Sequence, residues 1–532
     1  MTGTAGASIL ARLGARRDRV LLPAWCYLLI ALAVGTAYTF KGLYPTLASR
    51  LSFATTISAN PTLQALTGPT YDLTTIGGLT AWRIGGLGGA LLGVMNILVV
   101  VRHSRAEEEA GRLELVGAGA VGRYAPLTAS LLLATGTDLI IGVVIGAGLA
   151  LVGPPVGDSF VLGMALAVVG AAYAGIAAIA AQLTETSRGA NGIALAVLGA
   201  TFLLRAIGDS AGPGVRWLSW LSPIGWGQRI RPFAGDEWWV FALPVGCAAL
   251  ACWAAFALAG RRDLGAGLLP GRPGPATAAP GLRSTLALAI RLQRGVLLGW
   301  LVAFVVVGGV FGAVAQDMVN IVATSPQLGR IIAQLGGATG LGNAFLAAVS
   351  GLLGLLSSVY TVQAVLRLRG EETAQRAEPV LATGVSRTSF AAAHITVAAV
   401  GGALLLVASG VVTGVAYGLR SGDVGGAVGS VLGGAAVQVP AAWVLAGVAV
   451  ALFGLRPVLT GVAWAAVVVC FLIGELGPSL RLPRWAMDIS PFTHVPRLPG
   501  GTLTGAPIGW LLGVAVVLVA AGLAGFRRRD IG

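Results

Sequence analysis

The 532-residue sequence has a single lysine, Lys41, and no Gly-Lys-Ser or Gly-Lys-Thr. A phosphate-cradling loop needs a lysine behind its glycines to reach the nucleotide phosphates, so the chain carries no P-loop of its own and does not read as an enzyme. Its histidines, His103, His394 and His494, lie far apart and outside any His-Glu-x-x-His pattern, which leaves intramembrane metalloprotease chemistry unsupported. Its cysteines, Cys26, Cys247, Cys252 and Cys470, sit inside apolar segments without metal-ligand spacing. They read as small buried hydrophobes, with no metal site and no disulfide framework. Charge is scarce as well: 11% of residues are Asp, Glu, Lys or Arg, against roughly a quarter in soluble domains. That shortage excludes an ordinary soluble fold.

What fills the space is apolar. Hydrophobic residues make up 56% of the chain and the mean hydropathy is +0.84. Runs of spanning length lie at about 20–40, 80–101, 126–152, 159–182, 191–207 and 240–260, then at 295–315, 344–365, 389–415, 427–455, 457–475 and 506–526. The expectation is an all-α polytopic membrane protein of twelve spans, with both termini on one side. Arginines concentrate in the segments that would then be cytoplasmic, including Arg261, Arg262 and Arg527 to Arg529, which places the termini inside. The net charge of +14 is scattered between apolar runs, so it suits lipid headgroups and topology and implies no nucleic-acid partner. Residues 5–19 read as a short Arg-rich helix lying along the interface.

The chain repeats itself. Arg105-Ala-Glu-Glu-Glu-Ala-Gly-Arg-Leu-Glu-Leu-Val116, running on to Arg123, is matched by Arg369-Gly-Glu-Glu-Thr-Ala-Gln-Arg-Ala-Glu-Pro-Val380, running on to Arg387. Arg16 to Trp25 matches Arg291 to Trp300, Ser222-Pro223 matches Ser490-Pro491, and Arg261-Arg262-Asp263 matches Arg528-Arg529-Asp530. A Gly/Pro-rich linker at 263–282 separates a first six-span half, 1–262, from a second, 283–532. Two six-span halves in the same orientation make a parallel pseudo-two-fold repeat about an axis along the membrane normal. Glycines spaced by four, Gly142 and Gly146, Gly308 and Gly312, and Gly425, Gly429 and Gly433, read as helix-packing positions.

The charged stretch is the candidate site. Glu108 and Arg112 stand at i,i+4, which predicts one short surface helix carrying both. A merely solvated face is the plain alternative; retention of the pattern in both halves favours docking. Within the spans, Asp138 is the one deep carboxylate, and Arg205 and Arg83 are intramembrane cations. By depth along their helices Arg205 is the better matched partner of Asp138, and a structural ion pair is the leading reading over a part in proton or substrate movement.

The Arg-Ala-Glu-Glu-Glu-Ala-Gly-Arg-x-Glu stretch, its second copy and the Asn60-Pro61-x-Leu63 and Pro326-x-Leu328 loops resemble the fused twelve-span permeases of type-2 ABC exporters, above all the polyketide-antibiotic exporters of the tetronasin kind. The resemblance covers essentially the whole chain. It implies a permease subunit of an ATP-driven exporter that moves a hydrophobic or amphipathic, antibiotic- or drug-like compound out of the cell across the inner (cytoplasmic) membrane. A separate ABC ATPase, in two copies per permease chain, would bind ATP and Mg, with no cofactor in this chain. The loops between spans 2 and 3 of each half would be coupling helices docking on that ATPase. The role would fall on Glu107, Glu108, Arg112 and Glu114, and on Glu371, Glu372, Arg376 and Glu378; Glu109 against Thr373 and Leu115 against Pro379 break the equivalence. Reversing the paired glutamates is expected to stop transport with insertion and folding intact. The resemblance also makes 208–239 and 477–507 outer gates, against the plain alternative of an interfacial aromatic belt. A proton-coupled secondary multidrug transporter remains the alternative, since a six-plus-six repeat fits that class too.

Overall fold

Inside a bilayer no water can satisfy a backbone amide, so a spanning chain must close its hydrogen bonds within itself. The computed structural model describes residues 3–58, 64, 65, 67–117, 119, 121–210, 213–269, 276–323, 337–476 and 483–529, and every regular element among them is helical. Twelve helices among the described residues are long and apolar enough to cross a membrane. Each coincides with one of the apolar runs. The protein is an all-α polytopic membrane protein.

The chain forms two compact units, Met1–Gly274 and Pro275–Gly532. The first contains α1 (Ala7–Arg17), α2 (Leu21–Leu43), α3 (Leu47–Ser58), α4 (Ile76–His103), α5 (Arg105–Glu109), α6 (Arg112–Gly117), α7 (Ala125–Val152), α8 (Val156–Leu183), α9 (Ser187–Ser210), α10 (Pro223–Arg229) and α11 (Ala242–Ala259). The second contains α12 (Thr285–Ala323), α13 (Gly337–Thr373), α14 (Ala377–Leu381), α15 (Arg387–Ser421), α16 (Val424–Ala436), α17 (Val439–Leu455), α18 (Val462–Leu476), α19 (Arg484–Met487) and α20 (Gly505–Arg528).

In the first unit α4 and α8 form the centre, with 67% and 72% of their apolar windows buried against 22% for α2, α9 and α11. Small residues let them sit there. Where α7 meets α8, a Cβ on Gly163 would lie 2.0 Å from the Gly142 carbonyl oxygen, so the two backbones touch and any side chain would separate them. Gly146 faces the Phe160 ring, and in the second unit Gly308 and Gly312 face Ser409 and Thr413 of α15. The third glycine series departs from expectation: Gly429 and Gly433 face open space and Gly425 meets only Asp423. Four-residue spacing marks one helix face but does not say whether a neighbour lies on it.

Part of the expected linker is held in place. The Leu268 and Leu269 amides donate to the carbonyls of Gln182 and Leu183 at the end of α8, at 3.1 and 2.8 Å. The expected linker positions 270–275, the Asn60-Pro61 and Pro326 loops, and 477–482 of the second expected outer gate lie outside the described residues. In the stretch 208–239, expected as an outer gate, α10 packs on α4 and α8, burying Ile224 and Gln228, while Trp217, Trp220, Trp238 and Trp239 are exposed.

Candidate functional site

The repeated charged stretches form the same turn in each unit. In the first, α5 ends at Glu109 and the chain turns through Gly111, whose φ is 69°, before α6 begins. In the second, α13 ends at Thr373 and the turn falls on Gln375, whose φ is 54°. The hydrogen bond that closes the turn also repeats: the Gly111 amide donates to the Glu108 carbonyl and the Gln375 amide to the Glu372 carbonyl, each at 2.9 Å. One continuous helix pairing Glu108 with Arg112 is therefore not what forms. The left-handed residue breaks the i,i+4 register, and Arg112 instead donates to both oxygens of Glu107, at 2.6 and 2.9 Å. Arg376 does the same with Glu371, at 2.8 and 3.5 Å. The hydrogen bond to Glu107 holds the Arg112 guanidinium above its ordinary pKa.

The second glutamate of each pair turns towards the end of its own unit's last span. Arg262, just beyond α11, forks onto Glu108 with Nη1 to Oε2 at 2.8 Å and Nη2 to Oε1 at 2.7 Å. Arg529, just beyond α20, forks onto Glu372 at 2.7 and 2.9 Å. Arg105 and Arg369 flank these carboxylates at 2.7 and 3.2 Å. The clamp closes from the other side as well, since Arg123 donates to the Arg262 carbonyl at 2.8 Å and Arg387 to the Arg529 carbonyl at 2.7 Å. Bidentate arginine on carboxylate is the strongest and most directional of these contacts. In each unit it ties the loop after the second span to the end of the sixth.

The eight residues expected to dock therefore separate into two groups. Glu107, Glu108, Glu371 and Glu372 point inward, with side chains 14%, 10%, 7% and 4% exposed. Arg112 and Arg376 are 48% and 60% exposed, and Glu114 and Glu378 are exposed beside them. The second group is the accessible one, although Arg112 and Arg376 also hold Glu107 and Glu371. Reversing Glu107 or Glu108 would set like charges against Arg17, Arg105, Arg112 and Arg262, so folding of the loop would suffer, contrary to expectation. The copies also differ. Glu107 accepts from Arg17 at the end of α1, whereas Glu371 takes Arg367 of its own helix at 3.0 Å. Glu109 accepts from the Ser187 amide and hydroxyl at 2.8 and 2.6 Å, and the Thr373 hydroxyl in its place donates to the Arg369 and Gly370 carbonyls.

The three expected intramembrane charges, Asp138, Arg205 and Arg83, do not gather. Asp138 is buried on α7, where its Oδ1 accepts from Asn96 Nδ2 of α4 at 2.8 Å. Arg205 pairs with Asp209 one turn along α9 at 3.6 Å, donates to the Ala65 carbonyl at 2.7 Å and approaches Gln228 at 3.4 Å. Arg229 reaches the same Asp209 at 3.7 Å. The expected Asp138–Arg205 pair is thus replaced by two local arrangements, because equal depth along two helices says nothing of their lateral separation. Arg83 lies exposed on α4, with no ion pair among the described residues. Asp209 was within reach of sequence reasoning through its i,i+4 spacing from Arg205, and Arg262 and Arg529 through the matched ends of the two halves. Asn96 had no such signal, being a lone amide in an apolar run.

A family model described as "Multidrug efflux system permease Rv1217c, C-terminal domain" matches residues 282–527. The whole chain is 42% identical to the multidrug efflux system permease protein Rv1217c of Mycobacterium tuberculosis (strain ATCC 25618 / H37Rv), with 100% of this chain and 95% of that protein covered.

Proposed function

Starting from the finding that the chain belongs to the Rv1217c family of multidrug efflux system permeases, we propose that it is the membrane-spanning permease subunit of an ATP-driven ABC exporter. Its substrate is a hydrophobic or amphipathic drug-like compound, and a separate ATPase subunit binds ATP and Mg. Family membership supports the efflux role. The ATP-driven part rests on one observation: each unit carries a charged turn bound by arginine to the end of its own last span, with Arg112 and Glu114, or Arg376 and Glu378, left on the outer face. A loop built this way can pass a push on its exposed face to a spanning helix instead of absorbing it. Two such loops suit two ATPase copies per chain, docked on the cytoplasmic side of the inner membrane with both termini on that side.

In mechanical terms, the exposed charges recognise the ATPase by complementary charge, the inward glutamates keep the turn rigid, and the arginine forks carry movement to α11 and α20. Proton coupling through Asp138 is the weaker reading, since the second half has Gly402 at the equivalent position and a self-sufficient antiporter would have no use for the duplicated charged turns. Efflux of a dye panel from membranes containing the chain, with and without candidate ABC ATPases, tests the proposal. Drug-stimulated ATP hydrolysis and ATPase-dependent efflux are expected; efflux driven by a proton gradient alone would overturn it.

A further inference from the structure

A groove of about 540 Å³ opens between α1, α2 and α7. Its walls are apolar, among them Leu22, Leu132, Leu133 and Ile140, and the Thr137 hydroxyl on the wall is turned back onto the Leu133 carbonyl at 2.7 Å. The one charged group on the lining is Arg19, in the turn between α1 and α2. The carboxylate next to it in sequence does not neutralise it: Asp18 is buried and taken up by Arg102 at 3.0 Å and His103 at 2.7 Å. Arg12, Arg16 and Arg19 are all exposed, and none has an ion-pair partner among the described residues. Along α7 the groove runs from Leu132 to Ile140, about 12 Å at 1.5 Å per residue. That is close to the ~15 Å of hydrocarbon in a single leaflet.

We propose that this groove is a binding site for one anionic phospholipid of the adjacent leaflet, with its phosphate on Arg19 and an acyl chain lying between α2 and α7. A cation on the lining of an apolar slot close to one leaflet in length matches the two parts of such a lipid. In the aligned repeat Arg294 matches Arg19 in sequence and is likewise exposed, but it lies within the continuous helix α12 and not in a turn. The proposal concerns the chain and the bilayer only, so it stands or falls independently of the ATPase.

The test is native mass spectrometry of the detergent-purified full chain titrated with phosphatidylglycerol or phosphatidylcholine of identical acyl chains. Wild type is expected to retain phosphatidylglycerol about fivefold better or more, the ratio expected of one arginine near an anionic headgroup. Arg19→Gln should bring the two lipids level, while Arg528→Gln, a change at another exposed arginine, should leave the preference standing. Gly136→Leu should reduce retention of both lipids: Gly136 lines the groove and a Cβ there meets nothing within 4 Å, so the new side chain fills the groove without disturbing its walls. Equal retention of the two lipids by wild type, or a preference that survives Arg19→Gln, would overturn the proposal. So would undiminished retention in Gly136→Leu. Nile red bound by wild type and lost in Gly136→Leu, with no lipid retained, would make the groove a site for transported compounds and equally defeat it.

Discussion

Gly111 and Gln375 occupy the same turn of two repeated loops with the same left-handed backbone, at φ 69° and 54°. Glycine accepts that conformation freely, whereas an L side chain opposes it by roughly 1–2 kcal/mol. A Cβ on Gly111 would meet nothing within 4 Å, so backbone alone sets the effect there. Gly111→Gln should therefore destabilise the first loop by about 1 kcal/mol, and Gln375→Gly should leave the second level or slightly more stable. Hydrogen exchange over 105–117 and 369–381 reads both. Destabilisation by Gln375→Gly would show that the glutamine side chain, not the turn, matters there.

Arg262 and Arg529 are the residues on which the clamps depend. Removing either leaves a nearly buried carboxylate facing one arginine fewer, a loss on the order of 2 kcal/mol in the anchoring of its loop. Arg262→Ala should raise exchange across 105–117 and cut drug-stimulated ATPase activity of the reconstituted complex by about tenfold or more, with membrane levels unchanged. Arg262→Lys should recover only part, because a point charge replaces a planar fork. Normal exchange in the alanine variant would mean that Arg123 and Arg105 hold the loop without it.

The outward charges separate docking from folding. Glu114→Arg and Glu378→Arg place like charge where a partner of complementary charge is expected, a mismatch of several kcal/mol at an interface. ATPase association, followed by co-purification, should fall sharply while thermal stability of the isolated chain stays within about 0.5 kcal/mol of wild type, as for an exposed position. Glu108→Arg should lower both. If all three changes lower stability alike, the exposed face has no separate role.

Asp138 is held by Asn96, so the position needs a hydrogen-bond acceptor. Asp138→Asn keeps that acceptor and should leave folding intact, with efflux within about twofold of wild type. Asp138→Ala leaves the Asn96 amide short of one partner in an apolar setting, a cost of about 1–3 kcal/mol. Thermal unfolding in detergent and efflux at matched membrane levels distinguish the two. Loss of efflux in a stable Asp138→Asn protein would return the carboxylate to a role in transport.

The twelve long apolar helices found among the described residues, and their order, were legible in the residues. Hydropathy is a local property, and the bilayer forces every apolar run of sufficient length into a helix, so no knowledge of neighbours is needed to find them. The charged stretches were legible as a repeat for the same reason. Which charges would face each other was not. Depth along a helix follows from 1.5 Å per residue, but the face a residue occupies and the helix lying opposite depend on packing between segments far apart in the chain. So Asp138 meets Asn96 and not Arg205, Gly429 and Gly433 face open space despite their spacing, and Glu108 turns inward to Arg262 because a left-handed residue at 111 ends the helix that would have carried it to Arg112.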